Sequence, residues 1–121
     1  MTDLNTWPFM DVWSHGDLLV QQGRLVIDRP GGTPHPKFPE FVYPLDYGFI
    51  VGTQGGDGEG IDVWIGAAPD ERVTAIACTI DPFKKNAELK LLWSCTPEEI
   101  RQVEEFYAPQ PQAGLVIRRP S

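Results

Sequence analysis

The sequence lacks any long apolar run, and its N-terminus lacks basic residues. Crossing a bilayer as a helix takes about 20 consecutive apolar residues, and no stretch of this chain approaches that length. The first twelve residues carry two acids and no Lys or Arg, whereas a secretory leader begins with basic residues and continues into an apolar centre. We therefore expect a cytoplasmic protein with no membrane partner.

Positive charge and cysteine are also scarce. The 121 residues include 10 Lys and Arg against 17 Asp and Glu, which gives a net charge of −7. Such a surface repels DNA and RNA, so no nucleic-acid partner is expected. An acidic protein that handles an anionic ligand must recruit cations, and divalent metals supply them. Cys78 and Cys95 have no CxxC spacing and are expected to be reduced thiols in apolar strands.

Proline and glycine, twelve of each, divide the chain into short segments rich in Val, Ile, Leu and aromatic residues. This pattern favours short strands, and the length suits a single domain spanning residues 1–121. A hairpin is predicted with strands at 18–20 and 24–28, and a surface loop at 30–39, where proline is dense. Further strands are predicted at 41–51, 61–65, 72–80, 88–93 and 115–117.

One helix is predicted near the C-terminus. Thr96, Pro97 and Glu99 form a capping box with proline at the first helical position. Apolar residues then recur at helical spacing and predict one buried face, formed by Ile100, Val103, Phe106 and Tyr107. Many short strands with one late helix favour a small β-barrel with the helix packed outside it.

An acidic, glycine-rich loop at 54–60 leads into the strand at 61–65. It places Asp57, Glu59 and Asp62 within six residues. Carboxylates this close repel one another unless a cation or a proton intervenes. Clustered oxygen ligands suit Mg²⁺, with Mn²⁺ as a second possibility, and the glycines allow the backbone to fold tightly. The alternative interpretation is a solvated acidic turn.

The surrounding motifs point to a known family. The run YPLDYGFI at 43–50, then Gly52-Thr53, then DGEGIDV at 57–63 resembles the family I soluble inorganic pyrophosphatases, which carry a similar tyrosine strand, a short loop and a D-x-D-x-x-D signature before valine. The segment LVIDR at 25–29 resembles the family strand that ends in a functional arginine. DPFKKNA at 81–87 lies where the family has an Asp-x4-Asp element, and the helix ending in Phe106-Tyr107 resembles the family helix that ends in Tyr-Lys.

The resemblance implies a mainly β (α+β) fold, a five-stranded OB-like barrel with one C-terminal helix outside, and Mg²⁺-dependent hydrolysis of pyrophosphate to two phosphates. It also implies a homo-oligomer whose partner is pyrophosphate or another small phosphorylated ligand. By the same resemblance, the metal ligands are Asp57, Asp62, Asp81 and, at a family aspartate position, Asn86. Glu59 is implied as the base that accepts the proton of the attacking water, and Asp62 as a residue that bridges two metals.

Cations and hydroxyls must contact the substrate phosphates. The resemblance assigns this role to Arg29, Tyr47 and Tyr107, and Lys37 in the proline-rich loop can supply another cation. Arg29 and Lys37 can equally be solvated surface residues, and each tyrosine can instead be a core residue with a satisfied hydroxyl.

Four departures separate the chain from the family pattern. The family's N-terminal glutamate and substrate lysine have no counterpart before Leu18, Glu59 replaces aspartate, Asn86 replaces a bridging aspartate, and Ala108 stands where a lysine should follow the helix tyrosine. An amide brings no negative charge to a metal. The main alternative to an enzyme is therefore a pyrophosphatase-like domain that binds a divalent metal or a phosphorylated ligand with little hydrolysis. A structural or partner-binding barrel is a further alternative.

Overall fold

The computed structural model describes residues 11–56, 58–110 and 113–121. This part of the chain forms two helices and six strands, in the order α1 (Val12–Gln22), β1 (Leu25–Arg29), β2 (Asp46–Ile50), β3 (Ile61–Ile65), β4 (Val73–Asp81), β5 (Asn86–Trp93), α2 (Pro97–Tyr107) and β6 (Ala113–Arg118). Neither helix is long and apolar enough to cross a membrane.

All six strands belong to one mixed sheet in the order β1-β2-β3-β5-β4-β6. β3 and β5 pair in parallel, and the other neighbours are antiparallel. The mainly β, OB-like character is confirmed, but the predicted five-stranded closed barrel is not: within the described residues, β1 and β6 are two separate edges. The strands predicted at 24–28 and 115–117 form β1 (Leu25–Arg29) and β6 (Ala113–Arg118), which lie at opposite ends of the sheet and do not pair with each other.

The predicted hairpin at 18–20 is wrong, because those residues lie in α1. Asp11 caps this helix by accepting a hydrogen bond from the Ser14 amide at 2.8 Å. Gly16 faces β4, where a Cβ atom would lie 3.2 Å from the Val73 side chain, so the helix can approach the sheet closely. The apolar residues of 18–20 form a run too short to distinguish a strand from a buried helix segment.

The sheet has an apolar cluster on each face. One contains Val20, Ile50 and Val63 and lies beneath α1. The other lies beneath α2 and is dominated by aromatic rings packed around Trp64, which is fully buried. The Trp64 indole donates a hydrogen bond to the Tyr107 hydroxyl at 3.1 Å, so the aromatic cluster is tied to the end of α2 by a polar contact as well as by packing.

The predicted helix α2 is confirmed, and both hydrogen bonds of its capping box are present. Thr96 Oγ1 accepts from the Glu99 amide at 3.1 Å, and the Glu99 carboxylate accepts from the Thr96 amide at 2.8 Å. The Glu99 carboxylate also accepts from the Ala67 amide at 3.1 Å. The capping box therefore fixes the start of the helix and holds the loop that follows β3.

We expect Thr96→Ala to lower the free energy of unfolding by about 1 kcal/mol, because the amide of Glu99 loses its acceptor. Thr96→Ser is the matched control, since it keeps the hydroxyl, and it should cost much less. Urea denaturation of the three proteins measures both changes. Equal losses in the two variants would show that the methyl group, and not the cap, carries the effect.

Candidate functional site

A polar cavity of about 400 Å³ opens where β2, β3 and β5 face the proline-rich loop. We call it the polar pocket. Its wall combines cationic side chains, two carboxylates and the rings of two tyrosines, and consists of Arg29, His35, Pro36, Lys37, Tyr43, Tyr47, Asp62, Lys84, Asn86, Glu88 and Lys90. Four Lys and Arg residues therefore line a pocket with two acids, in a chain whose net charge is −7.

Strand register brings these side chains together. Asn86, Glu88 and Lys90 alternate along β5 and so share one face of the sheet. β3 pairs in parallel with β5 through Val63 and Leu91, which places Asp62 beside Lys90, each one residue before the pair. Tyr47 reaches the same face from β2, where it pairs with Trp64.

Lys90 is the most constrained residue of the pocket. It is 7% exposed, and its Nζ donates a hydrogen bond to the Tyr47 hydroxyl at 2.9 Å. The same nitrogen lies 3.8 Å from Asp62 Oδ2 and 3.7 Å from Glu88 Oε2. It also lies over the rings of Tyr47 and Tyr107, at 5.3 and 5.7 Å from their centroids. A buried ammonium is costly unless it is paired in this way.

The two tyrosines that contact this ammonium remain neutral hydroxyls. Burial raises the pKa of Tyr47 far above its usual range, and the nearby Tyr107 and Asp62 raise it further. Burial likewise raises the pKa of Tyr107, against the opposing effect of its hydrogen bond with Trp64. Tyr47 lines the polar pocket, whereas Tyr107 is 3% exposed and lies behind Lys90.

His35 is held in one orientation at the mouth of the polar pocket. Its Nδ1 accepts hydrogen bonds from the amides of Lys37 and Phe38, at 3.1 and 3.2 Å, and its ring stacks on Tyr43. Burial lowers the pKa of His35, and the cations led by Arg29 lower it further. The ring is therefore neutral at pH 7, and because Nδ1 is an acceptor, Nε2 carries the proton.

The sequence-predicted residues are distributed unevenly around the pocket. Asp62, Asn86, Arg29, Tyr47 and Lys37 all line it. Asp81 lines a neighbouring cavity instead, and its Oδ1 accepts from the amides of Phe83 and Lys84 at 2.9 and 3.0 Å. Glu59 is exposed and does not line the polar pocket. Asp57 lies outside the described residues. The roles assigned to these residues stay predictions.

Sequence reasoning missed Glu88 and Lys90 as pocket residues. The period-two alternation after Asn86 could have placed Glu88 and Lys90 on its face. It could not have shown that β5 runs beside β3, because parallel neighbours are far apart in the chain. Lys84 occupies the β4–β5 turn, whose conformation depends on the Asp81 carboxylate.

The oxygen donors of the polar pocket are of the type that Mg²⁺ prefers. Asp62 and Glu88 both approach one ammonium nitrogen within 4 Å, and the Asn86 carboxamide shares their pocket. Mg²⁺ is typically held by one or two carboxylates together with substrate phosphates. In the described part of the chain, no three His, Cys, Asp or Glu side chains converge on one point, so water and phosphate oxygens would complete the coordination.

Comparisons with known proteins bear on the fold. No family model and no curated protein matches the chain. Solved structures similar to it include an inorganic pyrophosphatase from Coxiella burnetii, with 15% identity and a TM-score of 0.55 over 76% of this chain and 81% of that one. An inorganic phosphatase from Anaplasma phagocytophilum has 17% identity and a TM-score of 0.54, over 78% and 81%. An inorganic pyrophosphatase from Helicobacter pylori has 14% identity and a TM-score of 0.54, over 78% and 80%.

The chain therefore has a pyrophosphatase-like fold. Identities of 14–17% support the architecture alone, because a fold does not by itself determine chemistry. Any functional conclusion must rest on the residues of the polar pocket.

The buried tyrosines predict alkaline sensitivity. Their pKa values are raised in the folded state, so above pH 10 the unfolded chain releases protons that the folded chain keeps. The free energy of unfolding should then fall by up to about 1.4 kcal/mol per pH unit for each group. Urea denaturation between pH 8 and 11 should show a shallower decline in the double variant Tyr47→Phe/Tyr107→Phe. Parallel declines would contradict the assignment.

Proposed function

We propose that the polar pocket binds inorganic pyrophosphate and that the protein hydrolyses it to two phosphates with the help of Mg²⁺. The observation that carries this proposal is the buried Lys90 ammonium between Asp62 and Glu88, on the wall of a pocket rich in cations. A phosphoanhydride is the small anion that such a combination suits, since it needs neutralising cations and can share Mg²⁺ with carboxylates. The pyrophosphatase-like fold supports the same choice.

Cations of the pocket would bind and orient the two phosphates. Arg29, at the end of β1, can hold two phosphate oxygens with its guanidinium fork. Lys84 lies in the β4–β5 turn and Lys37 in the proline-rich loop, and both line the polar pocket together with the buried Lys90. The neutral Tyr47 hydroxyl fixes the Lys90 ammonium in place, so the charge that meets the substrate requires little reorganisation.

Asp62, Glu88 and Asn86 are the described residues that would hold Mg²⁺. The bound ion would lower the pKa of a water molecule and polarise a phosphoryl oxygen. Lys90 already balances part of the charge on the two carboxylates, which lets them lie close together without the metal.

A second candidate function is binding of a phosphorylated ligand with little hydrolysis. Two observations favour it. Glu59, the predicted base, is exposed and does not line the polar pocket, and Asn86 brings a neutral amide where a carboxylate would add charge. Because its pocket is rich in cations, the protein would bind a phosphorylated ligand under this candidate function too. The same cations disfavour a purely structural role.

The hydrolase proposal predicts release of phosphate from pyrophosphate that requires Mg²⁺. Asp62→Asn should remove a metal ligand and Lys90→Met a phosphate contact. Each should lower kcat by roughly 100-fold or more, the usual cost of losing one charge-stabilising group. A colorimetric phosphate assay with and without excess Mg²⁺ measures both effects.

Matched controls are Glu71→Gln and Lys85→Met, whose side chains are exposed and do not line the polar pocket. Both should retain wild-type rates. If the pure wild-type protein releases no phosphate under any Mg²⁺ concentration but binds pyrophosphate by calorimetry, the second candidate replaces the first. Absence of both hydrolysis and binding would refute the proposal as a whole.

The position of Asn86 allows a gain-of-function variant. Asn86→Asp adds a negative charge beside Asp62 and Glu88, and we expect it to tighten Mg²⁺ binding by about tenfold, which corresponds to roughly 1.4 kcal/mol. Isothermal titration with Mg²⁺ measures the change, and Gln21→Glu, which adds an exposed acid on α1, controls for net charge. An equal response in the two variants would exclude Asn86 as a ligand position.

A further inference from the structure

A second cavity adjoins the polar pocket. It has a volume of about 390 Å³, and we call it the aromatic pocket because Phe38 and Phe83 line it. Three residues, His35, Lys37 and Lys84, line both cavities. The two spaces therefore share one wall, and that wall carries two ammonium groups.

The two cavities differ in chemistry. The polar pocket holds the carboxylates Asp62 and Glu88 and the buried Lys90, whereas the aromatic pocket offers two phenyl rings together with Asp81 and Gln110. Cavities of roughly 300–1,000 Å³ accommodate drug-sized ligands, so each of these spaces is large enough for a separate chemical group. Inorganic pyrophosphate in the polar pocket would leave the aromatic pocket unused.

Phe83 is placed at the aromatic pocket by a structured turn. The Asp81 carboxylate accepts hydrogen bonds from the amides of Phe83 and Lys84. These bonds hold Phe83, which lines the aromatic pocket, next to Lys84, which lines both pockets. Phe83 is nevertheless 82% exposed. Its ring gains little from packing within the chain, so core stability does not explain a large apolar side chain at this position.

Two polar residues of the aromatic pocket are also held in place. The Gln110 side-chain amide donates to the Phe106 carbonyl at 2.7 Å, and His35 is fixed by the amides of Lys37 and Phe38. Phenyl rings combined with fixed hydrogen-bonding groups suit a planar heterocycle, which offers a π-face for stacking and polar edges. A purely aliphatic chain would cover the polar groups of Asp81 and Gln110 without offering them any hydrogen bond.

We propose that the polar pocket accepts a nucleoside diphosphate or triphosphate as well as inorganic pyrophosphate and binds the nucleotide more tightly, with its phosphates in the polar pocket and its base against Phe83 in the aromatic pocket. Lys37 and Lys84, on the shared wall, would then meet the phosphate nearest the nucleoside. This inference rests on the proposed function, because it assumes that the polar pocket binds a phosphoanhydride, and it specifies the substrate class of that site.

The test compares ADP with inorganic pyrophosphate in titration calorimetry, with Mg²⁺ present. The wild-type protein should bind ADP more tightly than pyrophosphate. Phe83→Ser should weaken ADP binding by about tenfold, within the range for loss of one base–aromatic stack, and leave pyrophosphate binding unchanged. Ile80→Ser is the matched control, since Ile80 is also exposed but lines neither pocket, and it should change neither affinity.

The outcomes separate this inference from the proposed function. Binding of pyrophosphate without tighter binding of ADP, or an equal loss for both ligands in Phe83→Ser, overturns the nucleotide assignment and leaves the phosphoanhydride site intact. Tighter binding of geranyl diphosphate than of ADP also overturns it, because an apolar chain would then be the occupant. If the wild-type protein binds neither ADP nor pyrophosphate, the proposed function fails together with the inference.

Discussion

The Lys90 ammonium is buried at the point where the polar pocket meets the aromatic cluster, and its neighbours are arranged to make that burial tolerable. An isolated charge in a protein interior costs several kcal/mol. Here four different elements compensate it: Tyr47 comes from β2, Asp62 from β3, Glu88 from β5 itself, and the ring of Tyr107 from the end of α2. Their relative positions must therefore be maintained together, which links the pocket to the packing of the whole sheet.

The parallel pairing of β3 with β5 is the topological condition for this arrangement. With Val63 opposite Leu91, Asp62 and Lys90 share the sheet face of Trp64 and Leu92, while Val63 and Leu91 pack on the other face. A shift of one residue would turn one of the two charged groups toward the opposite apolar cluster. Both apolar clusters consequently oppose such a shift, and the register that builds the core also builds the site.

The sequence could predict those features that depend on residues close together in the chain. The strand at Ile61–Ile65 and the capping box of α2 were predicted correctly, because an apolar run and the spacing of Thr96 and Glu99 are local patterns. The helix α1 was missed because its short apolar run at 18–20 fits either structure. Burial of this helix against Val73 depends on a strand that lies far along the chain.

In the candidate site, too, residues of one continuous motif could be predicted, whereas residues brought in by strand pairing could not. Asp62 and Tyr47 belong to one continuous motif, and both line the polar pocket. Lys90 and Glu88 join them only through the β3–β5 pairing, which no local pattern encodes. The family resemblance assigned Asp81 as a metal ligand, and that role stays a prediction; in the structure its carboxylate caps the turn that carries Phe83 and Lys84.

The contrast between the acidic chain and its cation-lined pocket bears on ligand selection. A net charge of −7 disfavours the approach of long polyanions, whose many charges meet the protein surface at once. A short anion that enters the polar pocket meets Lys90 and the lysines of the shared wall at close range, where screening by water is weaker. In the proposed site, this charge distribution would favour small phosphorylated ligands over nucleic acids, and the rings of the aromatic pocket would then discriminate among those small ligands by what is attached to the phosphates.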